Sequence, residues 1–460
     1  MIKTLLLLGA TGDLAGRYLL PALAALRAAD RFPDDFQVIA AAREDLDDRA
    51  FQRTAAERLE RHAPDVPAAA RADLLRSVRY QRTEMTDPAS LSSLLAGIRQ
   101  PVAVYLALPP GLYTTVVITL KAAGLPAGSR IALEKPFSED LDSAVALNRL
   151  LAQVVGTAGE QAVFRVDHVL GLPTAQNLLA LRLANRVLEP LWNSRHIEQI
   201  DILREEDLGL EGRAGYFDRS GTLRDVMQNH MLQVLSLIAM DLPAPLDEHT
   251  LRDRKVDVLR SVRRLSRDEA VSRTRRARYT AGRLTDPAGG AGRAVPAYRD
   301  EEGVDAARGT ETFAEVVLEL DSERWSGTRF LFRAGKALHR RRKQVTVRFR
   351  PVEHPSAHRA PANELRIGLD GPEDIALHLT GGVSLNLPSL APVTLAAPPP
   401  AADLPAYGHV LLDVLSGGST LSVRGDEAEA AWHVMTPVLA AWKAGLVPLE
   451  EYAAGSAGPL

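Results

Sequence analysis

A short apolar run, a glycine turn and a helical pattern open the chain, and together they constrain the fold more than any other segment. Thr4–Leu8 contains four consecutive leucines, which is typical of a parallel strand buried on both faces. The turn that follows directly reads Gly9-Ala10-Thr11-Gly12-Asp13-Leu14-Ala15, and leucines at helical spacing come next. Strand, glycine turn and helix in this order form the context that a dinucleotide-binding fingerprint requires.

The turn itself predicts where a dinucleotide would bind. Gly9 allows a tight turn, Gly12 allows close approach of the backbone to a pyrophosphate, and the helix N-terminus attracts its negative charge. We therefore expect cofactor contacts at Gly9, Thr11, Gly12, Asp13 and Leu14. The spacing is a variant of the usual glycine pattern, and a tight strand–helix turn that binds no ligand is the alternative interpretation.

A second buried strand, over 36–42, ends at Arg43, Glu44 and Asp45. The residue at this strand end normally meets the adenosine ribose of the dinucleotide. Arg43 suits a 2′-phosphate, whereas Glu44 suits free ribose hydroxyls. NADP is favoured because Arg43 comes first, and NAD is not excluded.

The first part of the chain alternates strand and helix patterns. Further buried strands are predicted over 101–108 and 130–133, and a helix over 138–155. This alternation predicts an α/β fold with a Rossmann-like, doubly wound parallel sheet, which we place as a dinucleotide-binding domain over 1–165.

The second part of the chain has a different pattern. After residue 310, alternating apolar and polar residues predict strands over 313–320, 329–333, 344–349, 365–369 and 375–379. Strands in direct succession predict an α+β domain over 166–460, with a large, mainly antiparallel sheet flanked by helices. The Pro- and Ala-rich stretch 387–405 is predicted as a loop, and 426–442 as a closing helix.

Composition narrows the class of protein further. A net charge of −3 over 460 residues argues against a nucleic-acid partner. The chain has no cysteine, which excludes disulfides and cysteine-ligated metals, and we expect no metal cofactor. The N-terminal apolar run stops after Leu8, too early for a signal peptide or a membrane span. A cytoplasmic protein without a membrane partner is therefore expected.

Short motifs along the whole chain occur in an order that is specific for one family. Besides the glycine turn they are Glu134-Lys135-Pro136-Phe137, Arg165-Val166-Asp167-His168, Glu189-Pro190-Leu191-Trp192-Asn193, Tyr216-Phe217-Asp218, Arg224-Asp225-Val226-Met227-Gln228-Asn229-His230, Arg333-Ala334-Gly335-Lys336 and Glu427-Ala428-Glu429-Ala430-Ala431-Trp432. This set resembles the glucose-6-phosphate dehydrogenase family from end to end. The resemblance implies oxidation of the C1 hydroxyl of an aldohexose to its 1,5-lactone, with hydride transfer to NAD(P). The family's Ala-Arg motif supports NADP at Arg43.

The resemblance also implies catalytic roles. The C1 hydroxyl must lose a proton as its hydride leaves, and a neutral imidazole is a suitable base near pH 7. His230 is implied as that base, with Asp167 orienting its ring and stabilising the imidazolium. Lys135, at a strand end, is implied at the junction of sugar and cofactor. Pro136 matches a hinge proline of the family, for which a cis peptide bond is an open alternative.

Four residues are implied in binding a small-molecule sugar. They are His168, Glu206, Asp225 and Lys336. Carboxylates accept hydrogen bonds from sugar hydroxyls, although Glu205 next to Glu206 makes that assignment the weaker one. The family's habit of pairing through its large sheet implies a homodimer or homotetramer.

The chain departs from the family signature Asp-His-Tyr-Leu-Gly-Lys at two phosphate-binding positions. Val169 stands for the Tyr and Leu172 for the Lys, and neither can donate a hydrogen bond. Two charged hydrogen bonds are worth about 3–6 kcal/mol, or about 100- to 10,000-fold in affinity. Gly16 and Tyr18 also replace Lys residues that usually follow the glycine turn.

Three interpretations are consistent with this departure. The favoured one is a site for an aldohexose that lacks the 6-phosphate or carries another group there. In the second, Arg341, Arg342 or Lys343 rebuilds a phosphate site for glucose 6-phosphate. In the third, the chain is a catalytically silent paralogue that binds a cofactor and regulates or scaffolds a partner.

Overall fold

The computed structural model describes residues 1–212, 214–285, 292–353, 360–369, 374–382, 390–398 and 402–459. These residues form two compact units, each discontinuous along the sequence. Unit 1 comprises Met1–Pro173, Pro243–Asp253 and Ala402–Glu429, and unit 2 comprises Thr174–Leu242, Arg254–Ala401 and Ala430–Leu460.

Unit 1 is built on a seven-stranded sheet. Its strands are β1 Thr4–Leu8, β2 Gln37–Ala42, β3 Val78–Arg82, β4 Val102–Leu106, β5 Arg130–Glu134, β6 Val163–Val166 and β17 Ser422–Val423. Their spatial order is β17-β6-β5-β4-β1-β2-β3, and every pair is parallel except β17 with β6. The Rossmann-like, doubly wound sheet predicted from the sequence is confirmed.

Helices cover both faces of this sheet. They are α1 Leu20–Ala28, α2 Asp48–His62, α3 Ala68–Arg76, α4 Pro88–Ala96, α5 Tyr113–Ala123, α6 Leu141–Val155 and α12 Ala406–Ser416. Leu5 and Leu7 of β1 belong to a core formed with α1 and α12, whereas Leu6 and Leu8 belong to a second core formed with α4 and α5. The run of leucines is unbroken because both faces of β1 are covered.

Unit 2 is built on a nine-stranded sheet. Its strands are β7 Ile197–Glu205, β8 Thr274–Thr280, β11 Phe313–Leu318, β12 Arg329–Gly335, β13 Arg342–Phe349, β14 Glu364–Gly368, β15 Ile375–Gly382, β16 Leu390–Ala397 and β18 Leu449–Ala453. The order is β16-β15-β14-β13-β7-β12-β11-β8-β18. Only β7 with β12 and β8 with β18 are parallel among its pairs in the described ranges, so the mainly antiparallel sheet is confirmed. The short strands β9 Gly282–Leu284 and β10 Arg293–Val295 pair separately.

The remaining helices are α7 Pro173–Ala184, α8 Ala214–Thr222, α9 Leu232–Ala239, α10 Glu248–Ser261, α11 Arg267–Ser272 and α13 Gly425–Lys443. Two buried indoles fix the carboxyl end of α9. Trp192 donates to the Ile238 carbonyl at 2.8 Å, and Trp325 donates to the Ala239 carbonyl at 2.7 Å. A Trp indole needs such an acceptor when buried. Through Trp192, the Glu189–Asn193 motif therefore anchors the end of α9 in unit 2.

The loop predicted over 387–405 is wrong for 390–397, where β16 forms the edge of the nine-stranded sheet. Pro392 is compatible with this place because an edge strand leaves one row of backbone groups outside the ladder. Residues 387–389 and 399–401 of that stretch lie outside the described residues. Neither α12 nor β18 was predicted from the sequence.

Candidate active site

The carboxyl ends of the parallel strands place the predicted residues of unit 1 at one edge of its sheet. Gly9 follows β1, Arg43 follows β2, Lys135 follows β5 and Asp167 follows β6. The chain order of the strands reverses between β1 and β4, and open α/β sheets bind ligands in the crevice at such a point. The structure thus brings the glycine turn to the same edge as Lys135 and Asp167.

The glycine turn packs tightly against backbone carbonyls of the protein, which leaves no room for side chains at its two glycines. Gly9 has φ +88°, and a Cβ on it would lie 2.3 Å from the Ala107 carbonyl oxygen. A Cβ on Gly12 would lie 3.2 Å from the Gly9 carbonyl oxygen. A π-helical segment, Ala15–Leu19, then leads into α1. The turn and the helix N-terminus fit the pyrophosphate of a dinucleotide.

The end of β2, where a dinucleotide ribose is expected, carries both candidate side chains. Arg43 is exposed. Glu44 Oε2 accepts a hydrogen bond from Thr11 Oγ1 at 3.0 Å, and its backbone carbonyl accepts one from the Tyr80 hydroxyl at 2.7 Å. Glu44 is therefore tied to the glycine turn, although the sequence analysis treated it only as an alternative to Arg43.

Asp167 and His168 lie in a tight turn that follows β6. Asp167 is fully buried, and its Oδ1 accepts a hydrogen bond from the Val169 N–H at 3.1 Å, which caps the 3-10 turn His168–Gly171. The half-buried His168 ring stacks on Tyr407, with 5.7 Å between ring centroids. Lys135 is half-buried, and its peptide bond to Pro136 is cis.

A buried carboxyl lies beside this turn and was missed by the sequence analysis. Glu134, at the end of β5, is 7% exposed, and the hydroxyls of Tyr105 and Tyr407 both donate hydrogen bonds to it. Burial raises the Glu134 pKa to about 8, the nearby Asp167 carboxylate adds to the rise, and the two phenols oppose it. The feature of the sequence that could have identified Glu134 was its position next to Lys135 in a family motif. Tyr407 is 273 residues away in sequence, so no local pattern connects them.

His230 of unit 2 lies on a widened helix. Leu223–Met231 is π-helical and continues into α9, and His230 is 3% exposed. The Asn229 side chain accepts a hydrogen bond from the His230 N–H at 2.7 Å and donates one to the Arg224 carbonyl at 2.8 Å. Through these two bonds Asn229 satisfies backbone groups where the helix widens. π-Helical turns of this kind occur frequently at functional sites.

A second buried carboxyl that the sequence analysis missed holds the start of this helix. Glu311 Oε1 accepts a hydrogen bond from the Leu223 N–H at 3.0 Å. Gly221, with φ +65°, allows this contact because a Cβ there would lie 2.4 Å from Glu311 Oε1. Burial raises the pKa of Glu311. A carboxylate at a helix N-terminus is favourable, so Glu311 fixes the segment that carries Asp225 and His230.

The structure brings together three of the predicted sugar-binding residues in unit 2. Lys336 Nζ lies 2.6 Å from Glu206 Oε2 and 5.1 Å from the centre of the Phe217 ring. Burial opposes ionisation of Glu206, but Lys336 and Arg204 outweigh it and lower its pKa to about 2. Asp225 lies close enough to raise that pKa slightly. Two carboxylates and an ammonium group thus form one polar cluster.

Val169 and Leu172, the two residues that depart from the family signature, are both shielded from solvent to some degree. Val169 is 3% exposed and Leu172 is half-buried. Of the three residues considered for a rebuilt phosphate site, Arg342 forms a two-pronged ion pair with Glu205, at 2.9 and 2.8 Å. Arg340 also lies 3.8 Å from Glu205. Glu205 also lies 3.1 Å from Arg333, so three arginines share this one carboxylate, and Arg342 is already held in an ion pair within unit 2.

The fold and these side chains are those of a dehydrogenase with a Rossmann-like nucleotide-binding part, and with a polar cluster and a buried histidine in unit 2. Family models match both halves of the chain. The glucose-6-phosphate dehydrogenase NAD binding domain matches residues 6–177, and the glucose-6-phosphate dehydrogenase C-terminal domain matches residues 179–460. The chain belongs to the glucose-6-phosphate dehydrogenase family and is an oxidoreductase of that kind.

Individual relatives agree with this assignment. The glucose-6-phosphate 1-dehydrogenase of Zymomonas mobilis is 36% identical over 100% of this chain and 96% of its own. That of Gluconobacter oxydans is 37% identical over 98% and 93%. A solved glucose-6-phosphate dehydrogenase in complex with glucose-6-phosphate matches with a TM-score of 0.88 at 30% identity, over 100% of this chain and 96% of that one. No helix in the described ranges is both long enough and apolar enough to span a bilayer.

The buried Glu134 predicts a pH dependence of stability. Its pKa rises from 4.5 to about 8 on folding, so the stability contributed by its protonated form is complete below pH 4.5 and is lost as pH rises through about 8. Glu134→Gln is neutral at every pH. We expect the denaturation midpoint of the wild type to fall relative to that of the variant between pH 5 and pH 8.

The control is Glu57→Gln, at an exposed position on α2. The denaturation midpoint of this control variant should equal that of the wild type at each pH. Parallel pH profiles for Glu134→Gln and the wild type would show that Glu134 is ionised in the folded protein.

Proposed function

We propose that this chain oxidises the C1 hydroxyl of an aldohexose to the 1,5-lactone and passes the hydride to NAD(P)⁺. The observation that carries the proposal is the cluster of Glu206, Asp225 and Lys336 in the unit that also holds His230. Carboxylates and an ammonium group are suited to polyhydroxylated ligands, because they accept from and donate to hydroxyls. The glycine turn of unit 1 supplies the second requirement, a place for the dinucleotide.

His230 is proposed as the base that removes the C1 hydroxyl proton. Asp167 is proposed as the carboxylate that orients the imidazole and stabilises its charged form. Lys135, at the end of β5, is proposed to position sugar and cofactor for hydride transfer. When bound, the nicotinamide of the cofactor accepts the hydride from C1.

The sugar-binding residues act by hydrogen bonding. Glu206, with a pKa of about 2, is fully ionised at neutral pH and can only accept from hydroxyls. Lys336 can only donate. Asp225 and His168 complete the proposed contacts to the sugar.

NADP is the proposed cofactor. Gly9, Thr11, Gly12, Asp13 and Leu14 would hold its pyrophosphate through the glycine turn and the helix N-terminus. Arg43 is exposed at the ribose end and carries the charge that a 2′-phosphate requires. Glu44, held by Thr11, is the residue that would favour NAD instead.

Glucose 6-phosphate is the first substrate candidate, because the similar proteins are named as glucose-6-phosphate 1-dehydrogenases. A hexose without the phosphate is the second candidate, and the apolar Val169 and Leu172 favour it. The silent-paralogue interpretation is not favoured, because the family assignment and the retained His230, Asp167 and Lys135 all support an enzyme.

Activity and the role of His230 can be tested together. Reduction of NAD⁺ and NADP⁺, followed at 340 nm with glucose 6-phosphate and with glucose, should reveal turnover with at least one pair. His230→Asn should lower kcat by about 100-fold or more, because the base is lost, and leave cofactor affinity unchanged. His409→Asn, in α12 of unit 1, is the matched control. An active His230→Asn enzyme would show that another group takes the proton.

Leu172 provides a test of the substrate. Leu172→Lys restores a cation at a half-buried position, whereas a Tyr at the buried Val169 would overpack its site. A charged hydrogen bond of about 1.5–3 kcal/mol should raise the ratio of kcat/KM for glucose 6-phosphate over glucose by about 10- to 150-fold.

The control for this variant is Leu183→Lys, at an exposed position on α7. It should leave the ratio unchanged. An unchanged ratio in Leu172→Lys, with a wild type that already prefers glucose 6-phosphate, would show that other residues hold the phosphate.

We also propose that two copies of the chain pair through the nine-stranded sheet of unit 2, as a homodimer or as half of a homotetramer. Light scattering should then give two or four times the chain mass of 49.8 kDa. Leu331→Asp, on β12, should reduce the mass, whereas Val352→Asp, outside the strands, should not. A wild-type mass of one chain would contradict the proposal.

A further inference from the structure

An arginine from a different helix reaches the glycine turn of unit 1. Arg58 lies on α2, near the end of that helix. Its Nη1 donates to the Gly12 carbonyl at 2.9 Å, and its Nη2 donates to the Thr11 carbonyl at 2.8 Å. The guanidinium thus binds the backbone of two residues that are themselves proposed cofactor contacts.

Gly16 is the reason that Arg58 can reach this place. A Cβ on Gly16 would lie 2.3 Å from Arg58 Cδ and 2.4 Å from its Nη1. The three nearest atoms to that Cβ all belong to Arg58, so the arginine side chain occupies the place that a Cβ at position 16 would take. Any side chain at position 16 would therefore displace the guanidinium.

The charge of Arg58 is not balanced by an ion pair. Across the ranges that the structure describes, no carboxylate oxygen lies within 4.0 Å of its guanidinium nitrogens, and its two bonds from Nη1 and Nη2 go to neutral carbonyls. The nearby helix N-terminus, at Ala15–Leu19, adds a positive electrostatic potential of its own. Arg58 and the helix N-terminus thus bring positive charge to a turn that also carries the carboxylates of Asp13 and Glu44.

We propose that Arg58 is a positioning residue for the phosphates of the bound dinucleotide. It holds the carbonyls of Thr11 and Gly12 and places its positive charge in the space beside Gly16. The proposal rests on the proposed use of NAD(P). It assigns Gly16 and Arg58 a joint role. Because Gly16 has no side chain, the charged guanidinium of Arg58 can occupy the space beside it.

A purely structural role for Arg58 would give different results. A tie between α2 and the turn would contribute to stability and would leave cofactor affinity unchanged once the protein is folded. A charge near the phosphates contributes to affinity, and its contribution falls as salt concentration rises. Affinity and its salt dependence are therefore the decisive measurements.

The experiment measures binding of NADP⁺ and NAD⁺ to the full chain by calorimetry without sugar, together with kcat and KM. Arg58→Ala should weaken binding of the preferred dinucleotide at least tenfold, reduce its salt dependence and raise its KM, with kcat at saturation within twofold of wild type. Arg58→Lys should retain most of the affinity. Arg53→Ala, exposed on the same helix, should change nothing.

A charge transfer between the two positions tests the joint role. Gly16→Lys in the Arg58→Ala background should restore affinity to within about threefold of wild type, because it returns a cation to the turn. Gly16→Ala should weaken binding in the wild type but not in the Arg58→Ala background, a non-additive result expected of residues in contact.

The outcomes separate this inference from the proposed function. A wild type that binds neither dinucleotide overturns both. A wild type that binds one, with unchanged affinity in Arg58→Ala despite a lower melting temperature, overturns only the role of Arg58. Failure of the Gly16→Lys, Arg58→Ala double variant to recover affinity overturns the charge-replacement part.

Discussion

The parallel pairing of β1 with β2 and with β4 is the constraint on which the rest of unit 1 depends. Because these strands run in one direction, their carboxyl ends meet at one edge of the sheet. Gly9, with its positive φ and its approach to the Ala107 carbonyl, marks the point where the connections diverge. Lys135 and Asp167 reach the same edge because β5 and β6 extend the parallel order.

Buried carboxyls organise both units. In unit 1, Glu134 accepts hydrogen bonds from two phenols beside Asp167. In unit 2, Glu311 caps the widened helix of His230, and Glu205 binds Arg342. Each carboxyl replaces lost hydration with specific donors, which fixes neighbouring functional groups. The residues with proposed chemical roles are therefore held in place by other buried polar residues for which no chemical role is proposed.

Local sequence patterns were sufficient for the strands that are buried on both faces, such as β1, and for the family motifs. They were insufficient where long-range contacts decide the structure. The edge strand β16 contains Pro and Ala, and it forms because β15 offers a partner. No sequence periodicity predicts that Tyr407 contacts Glu134 or that Glu311 contacts Leu223, because the two residues of each pair are far apart in the sequence. Arg342 was considered for a phosphate, and its pairing with Glu205 depends on the register of β13 against β7.

The contact between Gly16 and Arg58 has a consequence for how such a sequence can arise. An arginine at position 58 cannot occupy its present place while residue 16 carries a side chain. A side chain at position 16 and the guanidinium of Arg58 would compete for the same volume. The effect of a substitution at either position therefore depends on the residue present at the other.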